Sequence, residues 1–247
     1  MKKLLFLVLA FLSFLDIYSQ DTIVFAKEKN TKKDVIIFDL FNDFWQDAPS
    51  VVNLRSINQG ISVSAMINKP IGYSNFSLAF GLGLSSHNMY SDAVPVLGRD
   101  INNKPDGTVQ FIKLGNYANK TVEYNINKLN VTYIDIPVEI KFITRSEKKK
   151  TFRSSLGFKF GYNISNHTKY RGEDYIEETD DYVTIKKSNI KYINNWHYGI
   201  IARVGYGKYN LMAYYSLSKL FEKGKLTDNN KEYNIYPISI GISFIPF

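Results

Sequence analysis

Residues 76–84 read FSLAFGLGL, with Phe76, Leu78, Phe80, Leu82 and Leu84 alternating with Ser77, Ala79, Gly81 and Gly83. A strict period of two marks a strand with two unlike faces. The pattern recurs at residues 152–162 (FRSSLGFKFGY), 196–206 (WHYGIIARVGY) and 236–244 (YPISIGISF), and in weaker form at 61–67, 134–142 and 211–217. An eighth strand is expected over residues 34–44, where Ile36, Phe38 and Leu40 share a face.

The links between these strands alternate in length: medium at 47–56, short at 69–74, long at 86–128, short at 146–150, long at 165–190, short at 207–208 and medium at 221–232. Such alternation is the plan of an up-and-down barrel that crosses a membrane. A soluble barrel can have the same strands, so the outward face decides between the two. The non-apolar positions are mostly Gly, Ser, Ala and Asn. That set is too poor in charge for a solvated exterior but suits the crowded lumen of a small barrel. The bulky positions then face lipid. The expected fold is all-β, an eight-stranded antiparallel up-and-down transmembrane β-barrel with short periplasmic turns and longer extracellular loops.

Aromatic placement points the same way. The chain holds 18 Tyr and 17 Phe but only 2 Trp, at a mean hydropathy of −0.21. Phe76, Phe142, Phe152, Tyr206, Tyr209 and Phe244 fall on the apolar face beside a short turn or near the C-terminus. Tyr162, Trp196 and Tyr236 lie on the same faces, eight to ten residues further along their strands. A strand rising about 3.3 Å per residue at a tilt of about 40° separates the two sets by about 20 to 25 Å, the expected spacing of two aromatic girdles.

Composition excludes several classes. The 247 residues are 45% hydrophobic, too apolar for wholesale disorder, and the absence of Cys removes disulfide scaffolds, zinc ribbons and thiol nucleophiles. Met1–Lys3 followed by the apolar run Leu4–Leu15 reads as a signal peptide over residues 1–19, since the run is shorter than the roughly 20 residues of a spanning helix. Its removal takes the formal charge from +8 to +7 and leaves residues 20–33 as a periplasmic N-terminal segment before the barrel at 34–247. The remaining charge is spread over loops and lumen, so nucleic acid is not a partner. GLGL at 81–84 is not followed by a helix and is no phosphate loop.

Four stretches carry a resemblance: DVIIFDLFNDFW (34–45), NQGISVSAMINKPIGYSNFSLAFGLGLSSHNMY (58–90), YIDIPVEIKF (133–142), and AYYSLSKLFEKGK (213–225) leading into YPISIGISFIPF. The chain is similar to the PorT-like outer-membrane β-barrel family of Bacteroidota. The resemblance implies the fold and the outer membrane as its location. It does not imply one role, because that family spans many barrels besides an accessory of type IX secretion. Its insertion signal ends in an outward aromatic, yet Phe247 is out of phase with Phe244. Either Phe244 carries the signal or the last three residues break register.

Charged residues of inward parity are Asp39, Asp135, Glu139, Lys141, Arg153, Lys159 and Arg203. In a narrow lumen they must pair, because an isolated buried ion is costly. A hairpin turning about Glu147 sets Asp135 opposite Lys159 and Lys141 opposite Arg153, with Glu139 between the two cations. The expected result is a packed polar lumen, and the alternative is a narrow pore. Ser85, His87 and His197 also have inward parity and are the candidates for an outer-leaflet lipid-modifying enzyme. No carboxylate is evidently placed to orient either ring, so the chain is read as non-enzymatic. Residues 173–181 hold six carboxylates in nine positions without the spacing of a calcium loop, so neither a metal nor a cofactor is expected. The chain is read as a monomeric scaffold, surface binder or secretion accessory acting through its extracellular loops. Its partners are outer-membrane lipid and lipopolysaccharide, the barrel-insertion machinery at the C-terminal strand, and a protein at the loops.

Overall fold

The computed structural model describes residues 34–72, 74–117, 122–144, 151–176, 181–228 and 231–246. The signal peptide, residues 20–33, Lys148–Lys150, residues 177–180 and Phe247 lie outside them. In chain order the elements are β1 (Asp34–Gln46), β2 (Gln59–Pro70), β3 (Phe76–Tyr90), β4 (Ala93–Arg99), β5 (Pro105–Lys113) and a one-turn helix α1 (Leu114–Tyr117). Then come β6 (Tyr124–Ile143), β7 (Phe152–Glu173), β8 (Tyr182–Ser188), β9 (Trp196–Tyr206) and β10 (Tyr209–Ser216). Last are β11 (Thr227–Asp228), β12 (Lys231–Glu232) and β13 (Tyr236–Phe244).

Eight of the described strands close on themselves in the order β6-β3-β2-β1-β13-β10-β9-β7, and the β7–β6 ladder completes the ring. Every pairing is antiparallel. All eight strands expected from alternation are present. The turn at Gly207-Lys208 links directly opposed Tyr206 and Tyr209, and Gly207 takes the left-handed φ (+66°) that a two-residue hairpin requires.

Burial follows the parity. Leu40 is 66% exposed, whereas its neighbours Asp39 and Phe41 are buried at 2% and 6%. Small inward residues make this possible. Phe41 stands opposite Gly60 on one side and Gly241 on the other, and a Cβ added at Gly60 would lie 1.9 Å from the edge of the Phe41 ring.

Three features differ from the sequence reading. The strands run on into what reads as long loops: β6 has 20 residues, β7 has 22, and β8 pairs with the upper half of β7. A bulge there leaves Ile164 unpaired, with Tyr133 opposite Asn163 and Thr132 opposite Ser165, so β7 changes parity as it rises. The lumen is not polar throughout, since Val35, Ile37, Met66, Ala79 and Ile245 form a buried apolar floor at the short-turn end. Ile37 and Ile36 are both apolar, so parity alone does not reveal that floor. At the C-terminus β13 ends at Phe244, whose ring lies 5.4 Å from that of Tyr209, while Ile245 turns into the floor.

Gly60→Val is expected to lower stability by about 1 to 3 kcal/mol through overpacking against Phe41. Combined with Phe41→Ala, its cost shrinks below the sum of the single variants. Urea midpoints of the barrel in lipid vesicles measure both; strict additivity would remove Phe41 as the cause.

Candidate functional site

Above the floor the lumen is filled by side chains from all eight strands. Arg203 on β9 is the lowest hub. Its Nη2 donates to Asp39 Oδ2 on β1 at 3.0 Å, its Nε donates to Ser243 Oγ on β13 at 3.0 Å, and its Nη1 pairs with Glu139 on β6. Hydroxyls complete both carboxylates: Ser62 and Ser243 donate to Asp39 at 2.6 and 2.5 Å, and Ser155 donates to Glu139 at 2.7 Å. Lys141 Nζ donates to Asn68 Oδ1 at 3.1 Å, and Arg153 is half-buried toward the short turns.

A second cluster lies higher. Asp135 on β6 is 3.5 Å from Lys159 Nζ on β7 and 3.4 Å from His197 Nε2 on β9. His197 Nδ1 bonds the Tyr214 hydroxyl of β10 at 3.0 Å, Tyr133 stacks on the imidazole at 4.3 Å, and Lys159 Nζ lies 4.2 Å from the Tyr214 ring centroid. Beside it, Asp43 on β1 takes Ser239 Oγ at 2.5 Å and His87 Nδ1 of β3 at 3.0 Å. Among the described inward side chains, Asp39, Asp43, Asp135 and Glu139 are therefore matched in number by Lys141, Arg153, Lys159 and Arg203.

The register corrects the expected pairs. Asp135 stands opposite Gly161 and Lys141 opposite Ser155, two residues away from a turn centred on Glu147. Asp135 still reaches Lys159, but diagonally, while Arg153 stands opposite Ile143. The expected network lacks Asp43, which shares the parity of Asp39 within the same strand. Both histidines do have carboxylates, contrary to the expectation: Asp43 for His87 and Asp135 for His197. Ser85 Oγ and His87 Nε2 make no hydrogen bond among the described residues, and both side chains are buried.

The aromatic residues form registered rows. Near the short turns Phe76 contacts Phe142 at 5.1 Å, Phe152 stands opposite Tyr206, Tyr206 opposite Tyr209, and Tyr209 opposite Phe244. Toward the long links Tyr162 meets Trp196 edge-on at 4.9 Å, and Tyr236 stands opposite Gln46.

What buries the histidines is a cap that periodicity does not reveal. The four longer links fold into one apolar cluster over the mouth, with Val52, Phe111, Ile193, Phe221 and Ile235 among its buried members. Trp45, at the top of β1, packs on Phe111 at 5.7 Å, and Phe111 meets Phe221 at 5.9 Å. Polar ties join the links: Asn53 N and Nδ2 donate to the Asp92 carboxylate at 2.8 and 2.9 Å, and Val109 N donates to Lys225 O at 2.7 Å. A second apolar cluster (Val94, Leu114, Val122, Tyr170 and Tyr175) lies under β8.

Arg203→Met leaves two buried carboxylates without their cation, and stability is expected to fall by about 3 to 5 kcal/mol. Adding Asp39→Asn and Glu139→Gln restores much of the loss. Denaturant midpoints in vesicles read both effects, and no recovery in the triple variant would show that Arg203 acts through packing alone.

No curated relative matches the chain. Among solved structures, Ail, the attachment invasion locus protein of Yersinia pestis, crystallised with the heparin analogue sucrose octasulfate, is similar at 10% identity and a TM-score of 0.32, covering 86% of this chain and 97% of that one. The profile of the outer membrane protein beta-barrel domain matches residues 41–222, which is most of the closed barrel with the cap's first three links. On that match the chain belongs to the outer membrane protein β-barrel domain family.

Proposed function

We propose that this outer-membrane barrel is a non-enzymatic structural or interaction protein whose working surface is its long-loop end. The observation that carries the reading is the cap. The described residues of four links are knitted into an apolar cluster over a lumen already filled by ion pairs. A pore needs a continuous polar path, whereas here an apolar cap and an apolar floor enclose the charges. A lipid-modifying enzyme needs a reachable nucleophile, whereas Ser85 and His87 are only 1% and 4% exposed beneath the cap. The polar lumen then acts as a plug that holds the strands, and selection for binding falls on the cap and the β4–β5 hairpin.

In this reading the short turns and both chain ends face the periplasm and the long links face outward. The two aromatic rows sit at the two lipid interfaces, where ring faces and polar edges suit the headgroup boundary. Phe244 is the outward aromatic offered to the insertion machinery. The four stretches quoted above support a narrower place among PorT-like barrels, with scaffold, surface binder and secretion accessory as the roles to separate. A monomer suffices, because the closed ring exposes no barrel edge.

The full chain in planar bilayers is expected to add no steady conductance; a stable open channel overturns the plug. In intact cells, Ile101→Cys at the β4–β5 tip, where the native side chain is fully exposed, is expected to react with a membrane-impermeant maleimide. A thiol that reacts only after lysis reverses the orientation.

A further inference from the structure

The outward face of β3, β6, β7 and β8 changes chemistry in register as it rises. Leu84, Ile134 and Tyr162 form one row, followed by Ser86, Thr132 and Ser165, and then by Asn88, Asn130, His167 and Ser188. The next row is Tyr90, Lys128, Lys169 and Lys186. Arg171 stands two positions further along β7, and both Arg55 and Lys128 Nζ lie 5.3 Å from the Tyr90 ring centroid.

Three lysines directly opposite one another on successive strands oppose sheet formation, because like charges in a cross-strand pair repel. Among the described residues none of Lys128, Lys169, Lys186 or Arg171 makes an ion pair. Glu173, higher on the same face, accepts from the Glu123 amide at 3.3 Å instead. His167 senses the cluster: burial, then the Lys186, Lys128 and Lys169 charges, hold its imidazole below the ordinary histidine range. Protection of a free edge accounts for Lys186, since β8 is the outermost strand. It does not account for Lys128 and Lys169, which sit on strands paired on both sides.

Height and direction suggest a ligand. Six residues of β6 separate Ile134 from Lys128, which is about 15 Å along the membrane normal for a tilted strand. The row therefore stands above the Tyr162–Trp196 girdle, from where the long lysine stems reach back toward the headgroup phosphates, and it faces sideways along the lipid-facing wall rather than up into the cap. We infer that Lys128, Lys169 and Lys186, flanked by Arg55 and Arg171, form a lateral site for the phosphate groups of lipopolysaccharide packed beside the barrel. Bound phosphates supply the counter-charge that no described carboxylate gives these lysines. The site rests on the orientation proposed above, with the long links outside.

The test uses the full chain folded into phosphatidylcholine vesicles with and without phosphorylated lipid A, comparing wild type with the Lys128→Gln/Lys169→Gln/Lys186→Gln variant. In phosphatidylcholine alone the variant is expected to unfold at the same or a higher temperature than wild type, because repulsion is relieved. With lipid A the order reverses, and affinity for lipid A falls by about 100-fold, since each basic residue near an anionic surface contributes roughly fivefold. Lipid A stripped of its phosphates is expected to give wild type no advantage. Equal gains in wild type and variant, or an undiminished gain from stripped lipid A, overturn the site. Loss of heparin binding by the variant with lipid A binding intact assigns the row to a soluble sulfated glycan and likewise overturns it. The Ile101→Cys labelling reads orientation independently, so failure of the topology and failure of the lysine row remain distinguishable.

Discussion

Hydrocarbon offers nothing to a backbone amide, so a sheet in a membrane must pair every strand on both sides. The β6–β7 ladder is where this chain meets that demand, closing a sheet that begins at β6 and ends at β7. Closure at eight strands leaves a bore only wide enough for side chains. The inward glycines and serines are the consequence, as are the alternating apolar exterior and the need to balance every buried charge.

The lumen meets that need by distribution rather than by isolated pairs. Arg203 joins β9 to β1, β6 and β13, while Asp135, Lys159, His197 and Tyr214 join β6, β7, β9 and β10. Each carboxylate of the lower hub also takes hydroxyl donors, which satisfies oxygens that a guanidinium alone cannot reach. With an apolar floor below and an apolar cap above, water competes little for these bonds. The polar network therefore ties strands that are distant in the chain, a role the apolar side chains of the outward wall cannot perform.

The barrel was legible because period two survives in a single sequence, and strands such as 76–84 and 196–206 announce both faces at once. Link lengths then ordered the strands. Register was less legible. The turn between β6 and β7 can shift by two residues without changing any side chain's face, so Asp135 was placed opposite Lys159 when it stands opposite Gly161. Asp43 could have been found from the parity of Asp39. The apolar floor could not, because Val35 and Ile37 alternate with Ile36 and Phe38, and such a strand has no polar face to read there. The cap was illegible for a different reason: Val52, Phe111, Ile193 and Phe221 come from separate links, and their association follows no local period.

The two tryptophans occupy opposite environments. Trp45 is half-buried at the mouth against Phe111, with its indole N–H making no hydrogen bond among the described residues. Trp196 is 56% exposed on the outer wall beside Tyr162. Brominated lipid tails therefore quench one emitter and spare the other, while loosening of the cap reddens the emission of the spared one. The chain thus carries separate native fluorophores for insertion and for cap closure, and the two steps of its assembly can be timed without attaching a dye.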